Sequence, residues 1–132
     1  MKPKFRAWYK ENKEMKLVNE IIGLYAFDND YPIVRCLGDV ELLNNEYELM
    51  QSTGLHDKYG AEIFEGDILK IKDSRLAVYV VEWHRNKFMW VLRYQKDKNQ
   101  YFPFYNVTGP FFEDLELLGN IYENFELLEE TE

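Results

Sequence analysis

The sequence has little of what stabilises secreted and membrane proteins. Its 132 residues include one cysteine, Cys36, so no disulfide can form within the chain, which is typical of proteins in a reducing cytoplasm. No apolar run approaches the roughly eighteen residues that indicate a membrane-spanning helix. The first six residues also lack the apolar core of a signal peptide. We therefore expect a cytoplasmic protein with no membrane partner.

The sequence also lacks the motifs by which many enzymes bind phosphate or activate a nucleophile. The phosphate-binding loop, the dinucleotide fingerprint and the nucleophile elbow of hydrolases are all absent. Cys36 lies in a mainly apolar stretch, residues 31–37, and we interpret it as a buried thiol rather than a nucleophile. We expect no catalytic residue, no cofactor and no enzymatic activity.

Two groups of residues match metal ligands in type but not in spacing. His56 and His84 are far apart in the sequence and fit no zinc motif. Glu65 and Asp67 flank Gly66, and a turn explains them more simply: the glycine permits the bend and the aspartate binds local N–H groups. We expect no metal site.

The net charge of −8 is unevenly distributed. Residues 1–16 carry six bases and two acids, a net of +4, whereas residues 113–132 carry eight acids and no base. An acidic surface repels phosphate groups, so general binding of nucleic acid is not expected. The separation of the positive N-terminal segment from the negative C-terminal segment has two interpretations. Either both chain ends are simply solvated, or the two segments pair between copies of the chain.

Alternating apolar and polar residues predict a mainly β protein. Aromatic residues make up 17% of the chain and suit the half-buried surface of a sheet. The pattern predicts a β-hairpin over residues 4–18, within an N-terminal arm or lobe of residues 1–50. Over residues 51–132, short strands joined by tight turns predict a small barrel that removes its own edges by closing. We expect Gly119 to mark a bulge or a close approach, and a short helix over residues 125–130.

The aromatic residues of the second half permit two interpretations. In the first they pack across one sheet face, in a core that includes Trp83, Val81, Ile68, Ile71, Leu92 and Ile121. In the second, Trp90, Arg93 and Tyr94 form an aromatic and basic face that stacks on nucleic-acid bases. Core packing is the simpler explanation, so nucleic-acid association is the alternative hypothesis.

The N-terminal hairpin carries Phe5, Trp8 and Met15, large apolar residues close to a chain end. An isolated two-stranded hairpin is marginally stable in water, so it has to dock on another surface. Docking within its own chain is one solution. The charge separation favours docking on another copy, and we expect a homo-oligomer whose contacts include these three residues.

Four sequence blocks resemble the YopX-like family of phage and prophage proteins. They are KFRAW at residues 4–8, MQSTGLHDK at 50–58, EGDI at 65–68 and LGNIYEN at 118–124. The resemblance implies a phage- or prophage-encoded protein of the bacterial cytoplasm, whose C-terminal part is similar to small SH3-like barrels. It implies no activity, cofactor or catalytic residue. We therefore expect a non-enzymatic accessory protein that assembles with itself or binds a host protein.

Overall fold

The structure, a computed structural model, divides into two compact units, Met1–Ser52 (unit 1) and Thr53–Glu132 (unit 2). It describes residues 4–22, 33–38, 40–42, 46–71, 78–104 and 115–129. In this part of the chain, no helix is long and apolar enough to cross a membrane.

Strands dominate the described residues, and the predicted mainly β class is confirmed. The elements are β1 (Phe5–Tyr9), β2 (Glu14–Ile22), β3 (Ile33–Cys36), β4 (Val40–Leu42), β5 (Tyr47–His56), β6 (Glu62–Phe64), β7 (Asp67–Ile71), β8 (Val78–His84), β9 (Met89–Tyr94), β10 (Tyr101–Pro103), β11 (Leu115–Asn120) and α1 (Glu126–Glu129). They form two antiparallel sheets, ordered β4-β3-β2-β1-β5-β6 and β10-β9-β8-β7-β11.

The predicted N-terminal hairpin is present as β1 and β2, but it is not a free arm. Trp8 pairs with Met15 on the β2 side of β1 and with Glu48 of β5 on the other side. Both edges of β1 are therefore hydrogen-bonded within unit 1. The alternation of residues 4–18 predicted the hairpin, but it carried no information about β5, because that pairing joins residues about forty positions apart.

The core of unit 1 lies on one face of this sheet. A register shift between Val18 and Glu20, where β2 pairs with β3, allows Val18 and Ile21 to pack on the same core although they are three residues apart. The buried core residues are Ala7, Val34, Cys36, Leu42 and Tyr47.

Unit 2 has its own core, on one face of the β7–β8–β9 sheet. Its buried members are Ile63, Leu69, Tyr79, Val81, Leu92, Phe104 and Leu115. Ile71 packs against this core, and Ile121 is half-buried. Ile68 is fully buried but neighbours Leu69 along β7, so it faces the other side of the sheet. Trp83 was predicted to be buried and is 42% exposed, because it lies next to the loop that joins β8 and β9.

The predicted closed barrel is not formed by the described strands. β10 and β11 are the two ends of the five-stranded order, and among the described residues no pairing joins them. Closure requires a specific stagger and a pairing between the first and last strands. Alternation within each strand predicts neither of these. Residues 105–114, which link β10 to β11, lie outside the described residues.

Candidate interaction surface

The structure brings together two of the three residues predicted for the oligomer contact. Trp8 and Met15 lie directly opposite each other on one face of the hairpin. Phe5 is three residues before Trp8 and lies on the other face. Leu17, two residues after Met15, shares the Trp8 face and is 53% exposed. The apolar row on this face of the hairpin therefore consists of the exposed Leu17 and the half-buried Trp8 and Met15.

The three residues of the predicted nucleic-acid face do not share a face. Trp90 and Tyr94 pack against the core of unit 2, and the Tyr94 ring lies 5.4 Å from that of Tyr79. Arg93 alternates with them and lies on the opposite side of β9. The described structure therefore does not assemble a single stacking platform from Trp90, Arg93 and Tyr94.

Arg93 makes several contacts within unit 2. Its Nε donates a hydrogen bond to Glu82 Oε2 at 3.0 Å, and its Nη1 donates to the Lys98 carbonyl at 3.0 Å. The guanidinium also stacks on Tyr101, 5.2 Å from the ring centroid. Such contacts position a cation within the fold. The His84 ring packs 5.0 Å from the same tyrosine.

The carboxylates that match metal ligands in type make structural hydrogen bonds. Gly66 has φ +87°, which glycine adopts without strain, and Asp67 Oδ2 accepts the Phe64 N–H at 2.7 Å. The turn interpretation is therefore confirmed. In the described ranges, no group of three or more His, Cys, Asp or Glu side chains is arranged to hold a metal ion.

Asp57 joins two distant parts of unit 2. Its Oδ1 accepts the N–H groups of Tyr59 and Ala61, and its Oδ2 accepts that of Leu117, sixty positions away, at 2.9 Å. Burial by itself raises the pKa of Asp57, but the bonds from Leu117, Ala61 and Tyr59 and the charge of Lys58 outweigh it, so the pKa is lowered. Asp57 is a structural anion that connects the loop after β5 to β11.

Cys36 is fully buried in the core of unit 1. Burial raises the pKa of its thiol, and the positive charge of Lys16 lowers it by less. A buried thiol with a raised pKa is a poor nucleophile. The interpretation of Cys36 as a buried thiol is confirmed.

Two exposed aromatic residues, Trp83 and Phe88, lie at the loop between β8 and β9. We call residues 83–90 the β8–β9 tip. Trp83 and Trp90 pair edge to face with their ring centroids 5.1 Å apart, and Phe88 is 79% exposed. The exposed bases Arg85 and Lys87 lie between them in the sequence. Sequence reasoning placed Trp83 in the core and missed that Phe88, in the loop itself, is the exposed ring.

Phe88 has an unusual backbone conformation for a large apolar residue. Its φ is +52°, in the left-handed region that favours glycine and is uncommon for bulky side chains. The same conformation occurs at Lys13, with φ +55°, in the loop between β1 and β2. The lysine is polar and exposed, whereas Phe88 exposes an aromatic ring to water.

Comparison with known proteins identifies a family and three matching chains among solved structures. The sequence model of the family described as YopX protein matches residues 4–129. The crystal structure of protein EF1440 from Enterococcus faecalis is similar to the chain, with a TM-score of 0.59 and 26% sequence identity. The similarity covers 97% of this chain and 99% of that one. No curated protein matches the chain.

Proposed function

Because the chain belongs to the YopX family, we propose that it is a phage- or prophage-encoded accessory protein that acts by binding protein rather than by catalysis. Its partner is a second copy of itself or a host protein, in the bacterial cytoplasm. The order of strands in unit 2, with β11 beside the first of four consecutive strands, supports an SH3-like arrangement as part of this proposal.

The observation that carries the proposal is the set of large apolar side chains exposed in the described residues. Single exposed apolar residues are normal, whereas neighbouring ones mark interaction surfaces. Leu17 continues the row of Trp8 and Met15, and Phe88 belongs to the same β8–β9 tip as Trp83 and Trp90. The full set is Leu17, Leu37, Tyr59, Trp83, Phe88, Phe102 and Phe125.

In the hairpin of unit 1, apolar contact carries more of the association than charge. Lys10 Nζ lies 3.1 Å from Glu48, and Lys16 Nζ lies 3.2 Å from Glu14, so two of the N-terminal bases are compensated within the unit. Exposed ion pairs contribute about 0–1 kcal/mol each. The row of Trp8, Met15 and Leu17 is therefore the part of the hairpin best suited to a partner.

Light scattering of the full chain at tens of micromolar tests the self-assembly form of the proposal. We expect an oligomer that Leu17→Lys weakens. Tyr59→Lys is the control, because Tyr59 is 76% exposed but belongs to unit 2 and not to the row. A monomeric full chain contradicts self-assembly. Equal oligomers from both variants show that assembly is real and that this hairpin face does not cause it.

Nucleic-acid association is the second candidate function, and one observation supports it. Residues 82–98 contain five bases and two acids, a local net of +3 in a chain of net −8. Exposed rings beside bases suit single-stranded nucleic acid. Arg93, the base predicted for this role, faces away from Trp90 and contacts Glu82 instead, so binding is expected to be weak and independent of base sequence.

A further inference from the structure

The β8–β9 tip presents an apolar group at an energetic cost to the fold. Phe88 is the last residue of a four-residue loop, residues 85–88, because the flanking residues His84 and Met89 pair with each other. A left-handed conformation costs a residue with a Cβ roughly 1–2 kcal/mol, and an exposed phenylalanine recovers little by burial. Glycine would fit this position with less strain, so the fold gives no reason for an aromatic ring there. The loop imposes the conformation, as it does at Lys13, but it does not need a bulky aromatic side chain there, and this supports a role in binding.

The charge around Phe88 indicates the chemistry of the partner. Arg85 and Lys87 are exposed in the same loop, and the Lys87 Nζ also lies 5.4 Å from the Tyr101 ring. Residues 82–98 carry +3, so the rest of the chain together carries −11. A positive tip on an otherwise negative molecule favours an acidic partner with an apolar group at its centre.

The chain carries a surface of this kind near its C-terminus. Phe125 is 57% exposed and lies between the exposed acids Glu123 and Glu126. It belongs to residues 113–132, which hold eight acids and no base. Phe88 and Phe125 are in the same unit and each remains exposed, so neither covers the other within one chain.

We propose that the β8–β9 tip of one copy docks on the Phe125 surface of a second copy. Phe88 and Trp83 contact Phe125, and Arg85 and Lys87 face Glu123 and Glu126. Because the two surfaces differ, the contact is head to tail and leaves one tip and one Phe125 surface free at the ends, so it extends into a ring or a chain. The inference rests on the self-assembly proposed above and adds a second contact to that of the hairpin row.

The experiment compares two variants of the full chain, Phe88→Gly and Phe125→Ala, by sedimentation velocity over a range of micromolar concentrations. Each alone is expected to associate at least about tenfold more weakly than the original chain, as for the loss of a central aromatic contact. A mixture of the two, each also carrying Leu17→Lys to remove the hairpin contact, is expected to form 1:1 dimers and nothing larger. In the mixed dimer, the intact tip of Phe125→Ala docks on the intact Phe125 surface of Phe88→Gly. The remaining tip and the remaining Phe125 surface both carry substitutions, so no further copy can add.

Two control variants separate this effect from folding and from general hydrophobicity. Lys13→Gly makes the same backbone change at the matching loop position, and Tyr59→Ser removes an exposed ring elsewhere in unit 2. Both are expected to associate like the original chain. Thermal unfolding of Phe88→Gly is expected at an equal or higher temperature, which shows that weaker association does not come from misfolding.

Four outcomes would contradict the inference, and they differ in whether the proposed self-assembly is retained. A monomeric original chain removes self-assembly altogether. If Leu17→Lys weakens association and Phe88→Gly and Phe125→Ala do not, the protein assembles with itself but the tip takes no part. Loss of association in Phe88→Gly with no effect of Phe125→Ala, and no dimer in the mixture, shows a tip-to-tip contact. Tight binding of a fluorescent single-stranded DNA by the monomeric chain, lost in Phe88→Gly, shows that the tip serves nucleic acid.

Discussion

Phe88 and Lys13 occupy the same position in two hairpin loops of this protein. Each is the fourth residue of a four-residue loop, between the pairs Tyr9–Glu14 and His84–Met89, and each has a left-handed backbone, at φ +52° and +55°. The two loops therefore impose the same backbone demand on side chains of opposite character. This match supplies an internal reference for every experiment on the tip.

We predict that Lys13→Gly stabilises the protein slightly. Glycine relieves a left-handed strain of about 1–2 kcal/mol and costs about 0.5–1 kcal/mol in backbone entropy. The free energy of unfolding is therefore expected to rise by about 0.5–1 kcal/mol, as measured by urea denaturation. Lys13→Ala, which loses the lysine but keeps the strain, is the control and is expected to show no gain. A decrease in Lys13→Gly contradicts the strain assigned to both loops.

We predict that Asp57→Asn destabilises unit 2 and does so most strongly near neutral pH. The asparagine has one acceptor oxygen and brings an NH₂ group against backbone donors, a loss of about 2–4 kcal/mol. The lowered pKa of Asp57 means that its stabilisation is fully present above the ordinary aspartate pKa of about 4. It is lost as the pH falls through the lowered folded value.

Urea unfolding at pH 7 and at about pH 3 measures this difference. The gap between Asp57→Asn and the original chain is expected to shrink at the lower pH. Asp97→Asn is the control, because Asp97 accepts exposed hydrogen bonds of its own turn, from Asn99 and Gln100. A gap that does not change with pH would mean that the charge of Asp57 is not what stabilises the loop.

We predict that the Cys36 thiol reacts slowly while the protein is folded. The side chain is buried and its pKa is raised, so a disulfide reagent reaches the thiolate only after unit 1 opens. The colour change with such a reagent is expected to follow the unfolding rate and to be immediate in guanidinium. The double variant Cys36→Ala with Leu37→Cys moves the thiol to an exposed neighbour and is expected to react at once. Immediate reaction of the folded original chain would contradict the burial.

We predict that Gly119→Ala destabilises β11 by steric conflict. A Cβ at this position would collide with the side chain of Asn124, whose Oδ1 accepts the Asn120 N–H at 3.1 Å. Overpacking of this kind costs about 1–3 kcal/mol. In an Asn124→Ala background the same change is expected to cost at least about 1 kcal/mol less, which a double-mutant cycle by urea unfolding measures. Equal costs in the two backgrounds would place the strain elsewhere.

The sequence predicted Gly119 and the turn at Gly66 because these features are local. The register shift between Leu117 and Gly119 in β11 is the predicted bulge. The side chain of Asn124, which a Cβ at Gly119 would meet, is the predicted close approach. The partners of Asp57 could not be predicted in the same way. Its third donor, Leu117, is brought to it by the pairing of β11 with β7, and nothing in the spacing of residues 57 and 117 indicates that contact.

The exposed ring of the tip was missed for a related reason. Alternation placed Trp83 and Trp90 on the core face correctly, since they follow the period of the strand. Whether the core extends far enough along β8 and β9 to cover them depends on the length of the neighbouring strands. Trp83 and Trp90 form the pair next to the last one before the loop, and Trp83 is 42% exposed there.

The sequence by itself determined the mainly β class, the positions of most strands, the buried thiol and the family. Each follows from a pattern confined to one strand, one turn or one short block. Only the tertiary structure decided that β1 lies between β2 and β5, that Leu117 donates to Asp57, and that an aromatic ring stands exposed at the β8–β9 tip. The pleat of a strand repeats every two residues and is visible in the sequence. The choice of neighbouring strands depends on packing between residues far apart in the chain.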